Sequence, residues 1–468
     1  MEKPMEINRR SFLKKSGLSF LSFFALKNTF ADEISISFLS NDIEETGYGA
    51  LIKDPKKIID LPRGFSYKII SRAGGKMTDG FYVPAHPDGM GAFPGPDGLT
   101  IIIRNHEIWP GLPASFGAFG KRNRLLKRLR EDLIYDRGKR GNYCLGATTT
   151  LVFDTRSQKL KSQYLSLAGT LGNCSGGATP WNSWLVAEET FEEAGKTYHK
   201  DHGYIFEVPV SVEPRVAKPL PLKAMGHFVH EGVTVEPDRS IVYQTEDQQD
   251  SLFYRFIPNK AKHLAEGGRL QCLAVADMPQ FDTRNWGKQS VSPGEILSVH
   301  WLDLDDVDPD QDNLRYQGYK KGAAIFARGE GLCINDSEVY FACTIGGRTG
   351  TGQIWRYVLS PFEGTERENE SPGKLELFIE LNDKKTLENP DQLTMAPWGD
   401  LLVCEDGEGE QYLLGITPQR KIYKLARNAL DYSEFSGTSF SPDGSTMFLN
   451  NLKSGLTFAI TGPWKHSS

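Results

Sequence analysis

The sequence predicts an all-β chain folded as a β-propeller of about six blades, with helical insertions. Two observations carry that prediction. Short apolar runs of strand character recur at Leu99–Arg104, Thr148–Phe153, Ser183–Ala187, Ser240–Gln244, Val339–Thr344, Asp400–Cys404 and Thr446–Asn450. Several of them follow a turn signal, at Pro96-Asp97-Gly98, Pro237-Asp238-Arg239, Pro397-Trp398-Gly399-Asp400 and Pro442-Asp443-Gly444. Proline presets φ at the first corner of such a turn, and Gly or Asp tolerates the second. A degenerate unit of turn plus short strand describes a blade that cannot bury both faces alone, so blades stack around an axis. A sandwich or a pair of β domains is the competing architecture, but no Pro-, Gly- or Ser-rich linker divides the chain.

Taken in order, the chain begins with an export address. Asn8-Arg9-Arg10-Ser11-Phe12-Leu13-Lys14 is a twin-arginine pattern, followed by a mostly apolar stretch from Gly17 to Leu26 and by Thr29-Phe30-Ala31, which suits cleavage after Ala31. The apolar stretch is too short to anchor the chain stably in a membrane. The expected layout is therefore a signal peptide over residues 1–31 and one propeller over 32–468, delivered by the twin-arginine translocase to the periplasm or beyond it. Tyr204–Pro209 and Leu252–Ile257 alternate apolar and polar residues as paired strands do. Lys121–Ile134 is basic, with Leu126, Leu129 and Leu133 at helical spacing, which predicts a surface helix packed on the propeller. Asp303–Asp312 is strongly acidic and reads as a solvated loop.

Composition narrows the function classes. The chain has 468 residues, 39% hydrophobic and 24% charged, with 47 Gly and 26 Pro. That excludes collagen, a disordered tail and a multi-span membrane protein. Its 54 basic and 60 acidic side chains give a net charge of −6. An acidic body lacks the clustered Lys and Arg that neutralise phosphate backbones, so no nucleic-acid partner is expected. A propeller has few exposed edges, and a monomer is expected. The six cysteines, Cys144, Cys174, Cys272, Cys333, Cys343 and Cys404, contain no C-x-x-C pair and form no dense disulfide pattern.

Standard catalytic signatures are missing. There is no G-x-S-x-G elbow, no H-E-x-x-H and no phosphate-cradling glycine loop. Asp303-Leu304-Asp305-Asp306-Val307 has the aspartyl-phosphate pattern but lies late in a β chain, out of that motif's context. Carboxylates instead gather at strand ends: Glu107, Glu188, Glu231, Glu330, Asp391, Glu405 and Glu434. In a propeller one end of each inner strand faces the central funnel, so these groups converge. Converging carboxylates repel unless a cation sits among them, and Ca²⁺ is the hard, oxygen-liganded choice. Gly172-Asn173-Cys174-Ser175-Gly176-Gly177 is the most unusual segment. The residues alone leave two readings of Cys174: a thiolate ligand for a transition metal such as iron, or a small buried cysteine in a tight turn.

The twin-arginine start, Asn105-His106-Glu107, NCSGGATPWNSWLVAEE at 173–189, GHFVHEGVTVE at 226–236, ARGEGLCINDSEVYFACT at 327–344, NPDQLTMAPWGDLLVCEDG at 389–407 and GTSFSPDGSTMFLN at 437–450 together resemble the PhoX alkaline phosphatase family. The resemblance runs with gaps over nearly the whole mature chain; 190–225 and 345–390 carry no clear signature. It implies a propeller that hydrolyses small phosphomonoesters with ferric iron (Fe³⁺) and calcium (Ca²⁺). It implies that Cys174 is an iron ligand, that Glu231 and Glu330 are cluster ligands, and that Arg328 contacts the substrate phosphate, with Arg328 and Glu330 the catalytic pair. Glu107, Glu188, Asp391, Glu405 and Glu434 join the expected metal set from their strand-end positions. A calcium-dependent lactonase or phosphotriesterase, and a non-catalytic binding propeller, are the alternatives; the first would share the carboxylate funnel without needing Cys174.

Overall fold

Strand-forming runs separated by Gly, Pro and Asp corners fold into antiparallel meanders, which the computed structural model describes over residues 47–139 and 141–465. The expected signal segment lies outside the described residues. Six meanders follow one another. The first is Pro87–Pro94, Leu99–His106, Gly146–Asp154 and Lys159–Thr170, and the second is Asn173–Ala178, Ser183–Glu188 and Ile205–Pro209. The third is His230–Val235, Val242–Glu246, Phe253–Pro258 and Gly268–Val275, and the fourth is Gly329–Asn335, Glu338–Cys343, Gln353–Val358 and Lys374–Ile379. The fifth is Pro390–Met395, Leu401–Glu405, Tyr412–Ile416 and Ile422–Asn428, and the sixth is Phe435–Phe440, Thr446–Asn451 and Leu456–Thr461.

Hydrogen bonding gathers these meanders into five sheets, because Ile296–Asp303 pairs with both Gly268–Val275 and Lys374–Ile379 and fuses the third and fourth into one nine-stranded sheet. The first strands of the six meanders touch in sequence around an axis, the sixth returning to the first. That is a β-propeller. Ser66–Arg72 pairs with Leu456–Thr461, so a strand from early in the chain completes the last blade, and Ile59–Pro62 extends the fifth blade in the same way. Joining both ends of the chain in one sheet closes the ring without leaving a free seam. Apolar side chains from adjacent blades fill the spaces between them; Leu185, Ile205, Val233, Tyr254 and Phe256, for example, form one such cluster. Each fully buried side chain of this kind contributes roughly 1.5–3 kcal/mol.

One irregularity recurs in every blade. The innermost strand shifts register against its neighbour between Pro87 and Met90, Asn173 and Gly176, His230 and Val233, Gly329 and Leu332, Pro390 and Leu393, and Ser436 and Ser439. A bulge of this type bends the strand and re-aims one side chain. The second residue of each shift is Asp88, Cys174, Glu231, Glu330, Asp391 and, in the sixth blade, Gly437. The residue after it is small in four blades: Gly89, Ser175, Gly232 and Gly331. Space explains this. A Cβ on Gly331 would lie 2.6 Å from Gln392 Cα, and one on Gly89 would lie 2.7 Å from Ser175 Cα. Neighbouring inner strands thus approach backbone to backbone at the bulges.

One sequence expectation needs correction. Lys121–Ile134 is not a continuous helix but three 3₁₀ turns, Lys121–Asn123, Leu126–Arg128 and Glu131–Leu133. Arg122 has φ 60° inside the first turn, and Leu129 and Arg130 are extended. Leu129 and Ile134 are buried with Phe81, Phe119 and Leu165, so packing on the first blade overrides the helical periodicity. The acidic stretch is an exposed loop, as expected, tied down at two points: Asp308 accepts from the Tyr204 hydroxyl at 2.7 Å and Lys223 at 2.8 Å, and Asp312 accepts from Arg315 at 2.6 Å. Leu314–Lys321, directly after it, is the α-helix among the described residues.

The close approach at the bulges makes a direct prediction. Gly331→Ala forces two backbones apart and should lower stability by about 1–3 kcal/mol, read as a lowered Tm; an unchanged melt would contradict the packing described here.

Candidate metal centre

The six bulges aim their second residues at the axis, and two neighbouring positions join them. Glu188 pairs across the ladder with Asn173, and His106 pairs with Pro87, so Glu189 and Glu107 each follow the residue opposite a bulge. Donor atoms from these places converge in three groups: Asp88, Glu107 and Cys174; Cys174, Glu189 and Glu231; and Glu231, Glu330 and Asp391. Within each group the donor atoms lie within 4.8 Å of one another. Shared Cys174 and Glu231 make the three groups one continuous array, and all seven residues are buried.

Neighbouring polar groups hold the array in place. Cys174 Sγ lies 3.2 Å from Glu231 Oε1 and 3.4 Å from Asp88 Oδ2. Asn105 Nδ2 donates to the carbonyls of Cys174 (3.1 Å) and Ser175 (2.7 Å), bracing that bulge from the next blade. Trp109 Nε1 donates to Glu107 Oε1 at 3.0 Å. Gln392, one residue past Asp391, donates to Asp88 Oδ1 and accepts from the Gly437 amide at 2.5 Å. The sixth blade therefore gives glycine where the others give a ligand. A Cβ at Gly437, with φ 59°, would stand 2.3 Å from the Asp88 carbonyl. The gap is spanned by Gln392.

Six carboxylates and a thiol buried together cannot all be anionic without compensation, because desolvation and mutual repulsion each favour protonation. Burial first, then Asp88 and Glu231, drive the Cys174 thiol well above its ordinary value. A thiolate there requires cations in the array. The donor set suits them: carboxylate oxygens for a hard ion, and a sulfur at the junction of two groups for a softer one. Arg328 supplies fixed positive charge at the edge. Its backbone is held at φ 56°, and its guanidinium meets Asp247 through Nε (2.5 Å) and Nη2 (2.6 Å). Nη2 also lies 3.0 Å from Glu330 Oε1.

Five of these seven converging residues are among those the sequence singled out: Glu107, Cys174, Glu231, Glu330 and Asp391. Asp88 and Glu189 were not among them. Asp88-Gly89 reads as a turn, yet it repeats the acid–glycine pair of Glu231-Gly232 and Glu330-Gly331. Glu188 is one residue early, and adjacent residues on a strand face opposite ways. Its carboxylate turns outward, accepting from His202 Nδ1 (2.7 Å) and the amides of Leu171 (2.9 Å) and Gly203 (2.9 Å). Glu405 is the residue paired with Pro390 and belongs to none of the three converging groups. It accepts the Glu388 amide at 2.7 Å and lines a lateral cavity with Lys384, Lys424 and Glu410. Glu434 precedes the sixth bulge by two residues and belongs to none of the three converging groups.

Burial raises Glu405 to about 7 from the usual 4.5. The unfolded chain releases that proton first, so the contribution to stability is whole below about pH 4.5 and is lost as pH rises to about 7. Glu405→Gln should therefore gain stability relative to the parent between pH 5 and 8 in thermal melts; a pH-independent difference would contradict the burial effect.

A closed propeller carrying an axial array of carboxylates around one thiol defines a class: a propeller whose axis is lined with metal-type donors. The sequence profile of alkaline phosphatase PhoX matches residues 46–455, and the chain belongs to that family. In fold it is similar to Pseudomonas fluorescens PhoX in complex with vanadate, a transition state analogue, at TM-score 0.60 and 16% identity over 87% of this chain and 96% of that one. Weaker likenesses are a Xanthomonas campestris gluconolactonase (TM-score 0.37, 10% identity, 89% and 98% covered) and a Pseudomonas aeruginosa periplasmic gluconolactonase (0.39, 14%, 83% and 90%). No curated protein sequence matches.

Proposed function

We propose that this chain is an exported phosphomonoesterase whose axial array holds ferric iron and calcium. The observation that carries this reading is the convergence of Asp88, Glu107, Cys174, Glu189, Glu231, Glu330 and Asp391 in a member of the alkaline phosphatase PhoX family. Cys174, at the junction of two groups, is the residue suited to iron, and the outer carboxylates suit calcium. Bound there, the cations would supply charge neutralisation for the non-bridging phosphate oxygens and an acidified water as nucleophile. The sequence has no nucleophilic Ser, Cys or His motif, in keeping with that division of labour.

The protein's own contribution is placement. The bulges fix the donors before substrate arrives, and electrostatic stabilisation is strongest when its groups need not reorganise. Arg328 binds and orients the ester. Asp247 takes the Nε–Nη2 edge of its guanidinium and so fixes the plane in which Arg328 would meet a phosphate. Glu330 ties that guanidinium to the array. The twin-arginine start directs the mature chain, as one propeller domain over residues 32–468 and a monomer, to the periplasm or outside the cell. No helix among the described residues is long and apolar enough to cross a membrane.

Hydrolysis of p-nitrophenyl phosphate tests the reading. Excess calcium chelator should abolish turnover and added Ca²⁺ should restore it; full activity in chelator would contradict a calcium role. Arg328→Ala should lower kcat/KM about 10- to 100-fold, the worth of a charge-assisted contact, with metal content unchanged. Normal kcat/KM in that variant would remove Arg328 from the site.

A further inference from the structure

A second group of metal-type donors lies away from the axial array. Asp136, Cys144 and His202 bring a carboxylate oxygen, a sulfur and a ring nitrogen within 4.8 Å of one another. We propose that these three residues form a separate zinc site that staples two long insertions of the propeller. Asp136 and Cys144 come from the segment joining the second and third strands of the first blade, and His202 from the corresponding segment of the second blade.

The geometry around the imidazole carries the argument. Nδ1 lies 2.7 Å from Glu188 Oε1, which fixes that nitrogen as the hydrogen-bond donor and aims the other inward. A carboxylate behind the histidine is the usual partner of a metal-bound ring. Nε2 then faces Cys144 Sγ at 3.7 Å and Asp136 Oδ2 at 3.6 Å. The oxygen is too far for a hydrogen bond. Both separations are close to the ~3.3–3.6 Å between ligand atoms on a tetrahedral zinc with bonds of about 2.0–2.3 Å. Sulfur, imidazole nitrogen and carboxylate oxygen together select zinc over calcium. Three protein donors with the fourth position left to water is the open zinc coordination, unlike the four protein ligands of a closed structural site.

The surroundings are those of a rigid site. Asp136 is anchored through Oδ1 by the amide of Gly138 (2.7 Å) and through Oδ2 by the amides of His199 (2.6 Å) and Lys200 (2.8 Å), so a metal on Oδ2 would share that oxygen with them. Tyr135 and Tyr198 pack edge-on to the His202 ring at 5.1 and 5.3 Å, and Leu171 closes the wall beside Cys144. The side chains of His202, Asp136 and Glu188 are wholly buried. Glu188 adjoins Glu189, so the staple fixes the strand end that carries one axial ligand.

Cobalt reports the site directly. In purified full chain carrying Cys174→Ser, which removes the axial thiol, Co²⁺ should give a near-ultraviolet thiolate-to-cobalt band and visible d–d bands. These should saturate at one equivalent and be displaced by Zn²⁺. Adding Cys144→Ser should abolish the thiolate band. Absence of the band, or its survival without Cys144, overturns the proposal. A second measurement stands apart from that background: the parent chain should retain about one zinc per molecule and Cys144→Ser none, and equal zinc contents would overturn it as well.

Discussion

Everything at the axis depends on one constraint: six carboxylates and a thiol share a buried space that cannot hold them all as anions. The fold does not avoid this; it repeats it. A register shift in each innermost strand turns one side chain inward, and in five of the six blades that side chain is a metal-type ligand. The small residues beside the bulges let the strands approach closely enough for donors of neighbouring blades to converge. Burial of so many acidic groups opposes stability, and bound cations would offset it.

Uncharged groups support the array. Asn105 braces the Cys174 bulge, Gln392 bridges Asp88 to Gly437, and Trp109 holds Glu107. Such donors hold side chains in place without adding a compensating charge. Arg328 adds a cationic contact: its guanidinium is clamped by Asp247 and reaches Glu330.

Much of the architecture was legible because most of the readable apolar runs are second strands of blades, such as Ser183–Glu188 and Leu401–Glu405. They are buried and apolar. The inner strands were harder to see, since Gly, Asp and Glu interrupt them where the bulges lie. Glu231 and Glu330 stood out through family resemblance, whereas Asp88-Gly89 passed for a turn. Glu188 is the neighbour of the converging Glu189, and the period-two alternation of a strand puts the two on opposite faces. The 121–134 segment misled because its leucines have helical spacing but pack from three short 3₁₀ turns.

The central claim is that Cys174 and the axial carboxylates hold iron and calcium together. Elemental analysis of the parent chain and Cys174→Ser, each purified from a host with a working twin-arginine pathway, tests it most directly. The account predicts iron and calcium in the parent, and calcium with iron lost in the variant while the fold survives. Equal iron in both chains, or a folded, active parent without either metal, would contradict it.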